Sequence, residues 1–385
     1  MLPADTKKRA VVASLHFSPA HASHMIAIAK LLIEMDYEVT FLLHRRYEGF
    51  ANFAAVGEVV FRENFREWRR RNQSRLAVFV NAALDNAIVA APMRQSGTDV
   101  RYIFHEPSVL RNRFGEGPKA FAKLAAAKLS SIAMLMVASG AIVPSRCALA
   151  LYLRHFLCYN RAVNVIPLLF DEEIAPGQSI YNSARRRYFS FLGNACEAHN
   201  FRAFVAFAKY GIRLECGFDF AIAARTDLKR LLEHDEEFAG YVKEGKILLQ
   251  HGRVLSGAEM DAKYLDSFCV WNLYKYSTQS GVLPRAFMTG TAVIAARMGS
   301  FEEFVKPGVN GEFVESAADF DAIIQAAKKI RQNIPAYVQG CRASFFDTFH
   351  YRAGRKALAA ILSPQATANQ VGSGNLPQPR PADAD

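Results

Sequence analysis

The chain has 385 residues, more than one hydrophobic core usually organises, so two domains of roughly 180 residues each are expected. About half of the residues are apolar, enough for two cores, and no stretch reaches the eighteen or so uninterrupted apolar residues of a membrane span. The formal net charge of +11 favours an anionic partner, whether a nucleotide, a phosphorylated lipid, an acidic membrane surface or nucleic acid, with a solvated basic face as the plainer alternative.

The start, MLPADTKKRAVVASLHF, holds too short an apolar run for a signal peptide. Residues 10–15 (AVVASL) predict a strand, and after the loop HFSPAHA a helix follows, with Ile26, Ala29, Leu32 and Ile33 at helical spacing. A second strand is expected at 37–43 (YEVTFLL), which makes a βαβ unit and hence a parallel sheet with ligands at the strand C-terminal ends. The loop between them has no GxGxxG fingerprint, which argues against a dinucleotide. It carries His16, His21 and His24 instead, without a carboxylate or cysteine at ligand spacing, so no metal is expected.

Residues 62–90 read as helical and basic. The run DVRYIF at 99–104 predicts a strand ending in His105-Glu106-Pro107, which puts a histidine at the crevice edge; a hydrogen-bonded structural histidine is the alternative. The segment 120–143 is the most apolar of the chain but is interrupted by Lys123 and Lys128. Strands are expected at 140–144 and 163–169, each ending in polar residues.

Residues 171–187 show no apolar period and close with three arginines, so a domain boundary is expected near Ser183. The second set opens with YFSFL at 188–192 and Gly193-Asn194 at its tip. Helices are then expected at 201–210, 227–233, 258–265 and 320–331, and strands at 219–224, 246–250 and 268–271. The resulting divisions are a flexible start at 1–9, an acceptor domain at 10–183, a donor domain at 184–350, a helix at 351–362 returning to the first domain, and a Pro-, Gly-, Asn- and Gln-rich tail at 363–385 that is expected to be disordered. Cys147, Cys158, Cys196, Cys216, Cys269 and Cys341 form no CxxC pair and no zinc-like spacing, and read as reduced, mostly buried residues of a cytoplasmic protein.

The densest punctuation lies at 277–315, STQSGVLPRAFMTGTAVIAARMGSFEEFVKPGVNGEFVE: a polar Gly-containing loop, a helix, an apolar strand, an acidic turn and a Gly-Asn-Gly hairpin. Loop-then-helix after a strand is where α/β proteins place anions and sugars, because backbone N–H groups point into the crevice there. This stretch is the expected ligand-binding heart.

The pieces YIFHEP at 102–107, IVPS at 142–145, VIPLLFD at 165–171, FLGN at 191–194 and FMTGTAVIAARMGSFEEFVKPGVNGEFV at 287–314 occur in an order that resembles the family-4 retaining glycosyltransferases, over nearly the whole chain to about residue 360. The resemblance implies an α/β protein of the GT-B fold, two Rossmann-like doubly wound domains facing a central cleft with the C-terminal helix packing back on the first. By the same resemblance His105 matches a histidine beside the donor sugar that helps to stabilise charge developing at C1. Gln279, Ser280, Gly281, Val282 and Leu283 match the loop and helix start that meet the donor, and Gly193 and Asn194 match a strand tip facing the diphosphate. The 287–314 piece looks like the helix end, strand and Gly-rich hairpin with which the family's second domain grips its donor.

The departures matter as much. Where the family commonly has two glutamates eight positions apart, this chain has Ser277 and Arg285, and where it has an arginine and a lysine on the diphosphate, this chain has Asn194 and His199. Arg285 and Arg253 are the candidate replacement cations. The implied activity is retaining transfer of a sugar from a nucleoside-diphosphate donor to a glycan or polyprenyl-diphosphate-linked acceptor, in bacterial surface or exopolysaccharide synthesis, with no cofactor and no metal. A decayed GT-B protein that binds a glycan or scaffolds a partner is the alternative; nucleic acid is disfavoured because no recognised motif accompanies the basic residues. His21, Glu106, Arg111 and Arg113 are assigned to the acceptor side. Together with Lys119, Lys123 and Lys128 the last two would suit an anionic membrane surface, making a cytoplasmic protein peripheral on the inner face of the membrane; a solvated helix face is the alternative.

Overall fold

A computed structural model describes residues 8–107, 118–174, 179–277 and 279–363. Among the described residues thirteen strands form two parallel sheets. The first holds β1 (Lys8–Ser14), β2 (Tyr37–Leu43), β3 (Glu58–Phe61), β4 (Leu76–Phe79), β5 (Asp99–Ile103), β6 (Gly140–Val143) and β7 (Val163–Val165) in the order β3-β2-β1-β4-β5-β6-β7. The second holds β8 (Tyr188–Gly193), β9 (Asp219–Ala224), β10 (Ile247–His251), β11 (Ser267–Asn272), β12 (Ala292–Ala296) and β13 (Gly311–Val314) in the order β10-β9-β8-β11-β12-β13. Helices cover both faces, which is why the central strands are apolar without alternation: Ala10 to Ala13 and Phe268 to Trp271 are all buried. In each sheet the order reverses beside the first strand, at β1/β4 and at β8/β11, and that reversal opens a crevice at the strand C-terminal ends.

The expected strands and helices mostly stand where the pattern placed them. The helical reading of 62–90 does not hold. It contains a short helix at Phe65–Arg71, the strand β4, and the start of helix Leu84–Gln95. The LAVF of β4 is only four residues between arginine-rich flanks, too short to show a period, yet it is a central strand paired with β1 and β5. β3 was missed for the same reason. The strand expected at 163–169 stops at Val165, because Pro167 has no N–H for a ladder. Among the helices that were not foreseen are Glu236–Lys243 and Ile334–Ser344. In the latter Gly340 masks the helical signal, but a Cβ there would meet the Val309 carbonyl oxygen at 2.1 Å, so glycine is what lets this helix pack so closely.

The C-terminal segment returns to the first sheet as a turn of 3-10 helix, Tyr351–Gly354, followed by helix Arg355–Leu362. Tyr351, Leu358 and Ile361 join the core formed by β1, β2 and helix Ala22–Ile33, and Tyr351 and Arg352 both donate to Glu34. All six cysteines are free; three are buried (Cys216, Cys269 and Cys341), fewer than the expected majority, and Cys158 is exposed. Among the described residues no helix is long and apolar enough to cross a membrane.

Candidate functional site

The two crevices face each other across a cleft of about 1380 Å³, which exceeds the few hundred to a thousand Å³ of a typical small-ligand pocket and has room for two reactants. On its first-sheet side, His105 follows β5 and is buried. Its Nε2 donates to the Val80 carbonyl at 2.7 Å, so Nδ1 of the neutral ring is an acceptor. Nδ1 lies 3.4 Å from the Gln279 side-chain oxygen; turning that amide over brings its NH2 to the ring nitrogen. Burial holds the His105 pKa below its ordinary value, against the raising effect of the Val80 bond.

Two more imidazoles share this corner. His21 stacks on His105 at 4.5 Å, and His24 meets it edge-on at 5.6 Å. His24 Nδ1 lies 2.9 Å from the Leu169 carbonyl and 3.1 Å from the Leu169 N–H, and burial followed by His105 pushes its pKa down to about 3. His21 is likewise held low by burial first and by His105 and His24 after it. At neutral pH these rings are uncharged. The structure therefore covers His105 with His21, and of the two it is His21 that lines the cleft. His16 contributes only its backbone carbonyl, which accepts from Ser14 and Asn81. Among the described residues no three His, Cys, Asp or Glu side chains are disposed to hold a metal ion.

On the second-sheet side, Gly193 ends β8 at φ +133° with open space where a Cβ would lie, so a ligand can approach the bare backbone at the switch point. Asn194 accepts from Thr226 at 3.0 Å and bridges to Arg225 at 3.5 Å. His199 stacks on Tyr274 at 4.3 Å and hydrogen-bonds the Asn194 carbonyl at 2.8 Å. Burial lowers its pKa, so it is a poor substitute for a phosphate-binding lysine. Glu106 keeps solvent contact at the throat of the cleft, where desolvation raises its carboxyl against the pull of His199.

The loop after β11 is only partly as expected. Gln279, Ser280, Gly281 and Val282 line the cleft, but the Val282 N–H is taken by Ser280 Oγ at 3.2 Å, and the Leu283 side chain is buried in the second core. Ser277 is largely buried but also lines the cleft, and it donates to the Gln279 carbonyl, which shapes the loop. The following helix, Val282–Met288, is about two turns long. Among the described residues the cleft-lining part of the 277–315 stretch ends at Arg285. The hairpin at 308–311 does not line the cleft. Asn310 is fully buried and ties the hairpin to the Phe304 carbonyl and to Ser344. Arg111 and Arg113 lie outside the described residues.

Arg253 and Arg285 both line the cleft. Arg253 is exposed and forks onto Glu259. Arg285 is half-buried between Asp261, at 3.2 Å from Nε, and Glu173, at 3.4 Å from Nη2. A third cation went unnoticed in the sequence. Arg225 follows β9 directly, lines the cleft beside Asn194, and makes no ion pair among the described residues. Its position one residue beyond a strand end was the available signal.

Asp261 is 1% exposed, and burial raises its pKa to about 6 despite Arg285. The native state therefore takes up this proton at a higher pH than the unfolded chain, so this carboxyl adds stability as pH falls through 6. Between pH 7.5 and 5 wild type should gain roughly 1 kcal/mol over Asp261→Asn in urea unfolding. A pH-independent difference between the two would show that Asp261 is ionised throughout.

Known structures share this architecture. Sucrose-phosphate synthase from Thermosynechococcus elongatus is 14% identical with a TM-score of 0.67, covering 94% of this chain and 100% of that one. HepE from Anabaena, solved with UDP-glucose, is 14% identical with a TM-score of 0.65, over 92% of this chain and 99% of its own. TarM is 8% identical with a TM-score of 0.67, over 93% and 99%. No model of a known protein family and no curated protein sequence matches the chain. The fold is the GT-B architecture of glycosyltransferases.

Proposed function

We propose that the protein is a glycosyltransferase that moves a sugar from a nucleoside-diphosphate donor to a glycan or lipid-linked acceptor in the synthesis of a bacterial surface or secreted polysaccharide. The carrying observation is the opposition, across one cleft, of the bare Gly193 tip with Arg225 and the Gly281 loop on one side and the His21–His105 pair on the other. UDP-glucose bound to HepE, which has the same fold, supports a nucleotide-sugar donor. The diphosphate would rest on the Gly193 backbone and Arg225. The transferred sugar would lie against Gln279 and the imidazoles, and the acceptor would enter past His21 and Glu106.

In this reading transfer is retaining and proceeds on one face of the sugar. The bond from C1 to the diphosphate oxygen breaks as the acceptor oxygen bonds to C1, and the acceptor's hydroxyl proton passes to the departing phosphate. Arg225, which makes no ion pair among the described residues, offsets the charge left on the diphosphate. The acceptor belongs near the first sheet, and association with an anionic membrane surface is part of the proposal for a lipid-linked one.

Purified protein titrated with UDP-, GDP- and dTDP-sugars should bind one class with a dissociation constant between about 1 µM and 1 mM and hydrolyse it slowly without acceptor. Folded protein that neither binds nor hydrolyses any of them would overturn the assignment. Tight binding with no turnover would favour a second reading, a non-catalytic GT-B binding protein. The observation on its side is that Arg253 and Arg285 are already paired with carboxylates.

A further inference from the structure

The connector between the sheets carries three successive acids, each with its own basic partner. Asp171 pairs with Lys30 of helix Ala22–Ile33, and Glu172 with Arg342 of helix Ile334–Ser344. Glu173 faces the cleft instead. Its Oε2 accepts from Ser23 Oγ at 3.1 Å and from Arg285 Nη2 at 3.4 Å, while its Oε1 takes no hydrogen bond among the described residues. The side chain is 27% exposed, held by one oxygen and open at the other.

Glu173 and Asp261 both bear on Arg285, so this corner carries one cation against two carboxylates and does not suit a phosphate. A carboxylate oxygen accepts hydrogen bonds and donates none, so the ligand group it fits is a hydrogen-bond donor; a vicinal diol offers two such donors side by side. The floor of the corner is bare backbone. A Cβ on Gly257 would stand 3.6 Å from Arg285 Nη2 and 4.0 Å from Glu173 Oε2.

Gly257 follows β10, whereas the Gln279–His105 contact lies beyond β11, on the other side of the β8 tip in the sheet order β10-β9-β8-β11. A nucleotide sugar that reacts at the β11 end and crosses Gly193 with its diphosphate brings its ribose to the β10 end. We infer that Glu173, delivered from the connector and oriented by Arg285 and Ser23, binds the diol of the donor nucleotide. Asp261 is a positioning residue that acts through Arg285. This rests on the donor reading above and adds the group that recognises the nucleoside end.

Calorimetric titration of the full chain tests it with UDP and GDP, their 2′-deoxy and 3′-deoxy forms, and UDP-glucose and GDP-mannose. Wild type should bind the ribonucleotide about ten- to a hundredfold tighter than a deoxy form, and in Glu173→Ala that ratio should fall to near one, with Glu173→Gln between them. The ratio is measured within each variant, so general loss of folding does not imitate the result. If the ratio survives in Glu173→Ala but the advantage of the nucleotide sugar over the free diphosphate is lost, the diol bound is that of the transferred sugar, and the inference is overturned. Equal loss toward every nucleotide, or no loss toward any, would overturn the inference. Wild type that binds no nucleotide at all would instead overturn the donor reading on which it rests.

Discussion

His105→Ala should lower donor hydrolysis and sugar transfer by about a hundred- to a thousandfold while nucleotide affinity stays within a few-fold. The ring is fixed at Nε2 by the Val80 carbonyl, and Nδ1 points at Gln279 of the opposite wall. A sugar hydroxyl that displaces Gln279 would find a lone pair already aimed, in a site where burial keeps the imidazole neutral. Such preorganisation acts on the reacting end and not on the nucleotide, so it appears in the rate more than in binding. Gln279→Ala is the companion measurement, with a smaller expected loss of about tenfold. Rates for His105→Ala within threefold of wild type would assign the chemistry to His21, which covers it.

The second large effect is on stability. Arg186→Met should cost about 3 to 5 kcal/mol in urea unfolding, the range for removing one partner of a buried charged network. Arg186 is 3% exposed and donates to the Ser267 carbonyl at 3.1 Å, Thr291 Oγ1 at 3.0 Å, the Ile180 carbonyl at 2.9 Å and the Thr289 carbonyl at 2.6 Å. Burial depresses its pKa to about 10, which still leaves it charged at neutral pH. Its four acceptors span the connector, the start of β11 and the turn before β12, so methionine would strand them without donors. Arg186→Lys should recover only part of the loss, because one ammonium cannot meet four acceptors set for a planar fork. A methionine variant within 1 kcal/mol of wild type would mean that water replaces the guanidinium.

In sequence Arg186 was one of three arginines at the end of a polar connector, and nothing set it apart from its neighbours. Arg185 and Arg187 are more exposed and pair with Asp266 and Asp219. Which of three adjacent cations is buried depends on what packs against it, and that is a tertiary fact. Glu173 and Arg225 were illegible or overlooked for related reasons. The role of Glu173 depends on Ser23 and Arg285, 150 and 112 positions away, whereas Arg225 obeyed a local rule that was available, since it follows a strand that the pattern had already marked.

By itself the sequence determined the layered α/β architecture, because parallel strands covered on both faces need apolar runs, and helices between them need an apolar stripe; both patterns are local. It also determined where the crevice had to open, since strand C-terminal ends carry Gly193, His105 and the loop before Arg285. The tertiary structure alone decided what those residues meet. It placed His21 over His105, set Glu173 beside Arg285, and left the 308–311 hairpin out of the cleft lining, wrapped around the buried Asn310. Hydrogen-bond partners and burial are properties of segments far apart in the chain, and a short strand such as β4 acquires its place only from the neighbours that pair with it.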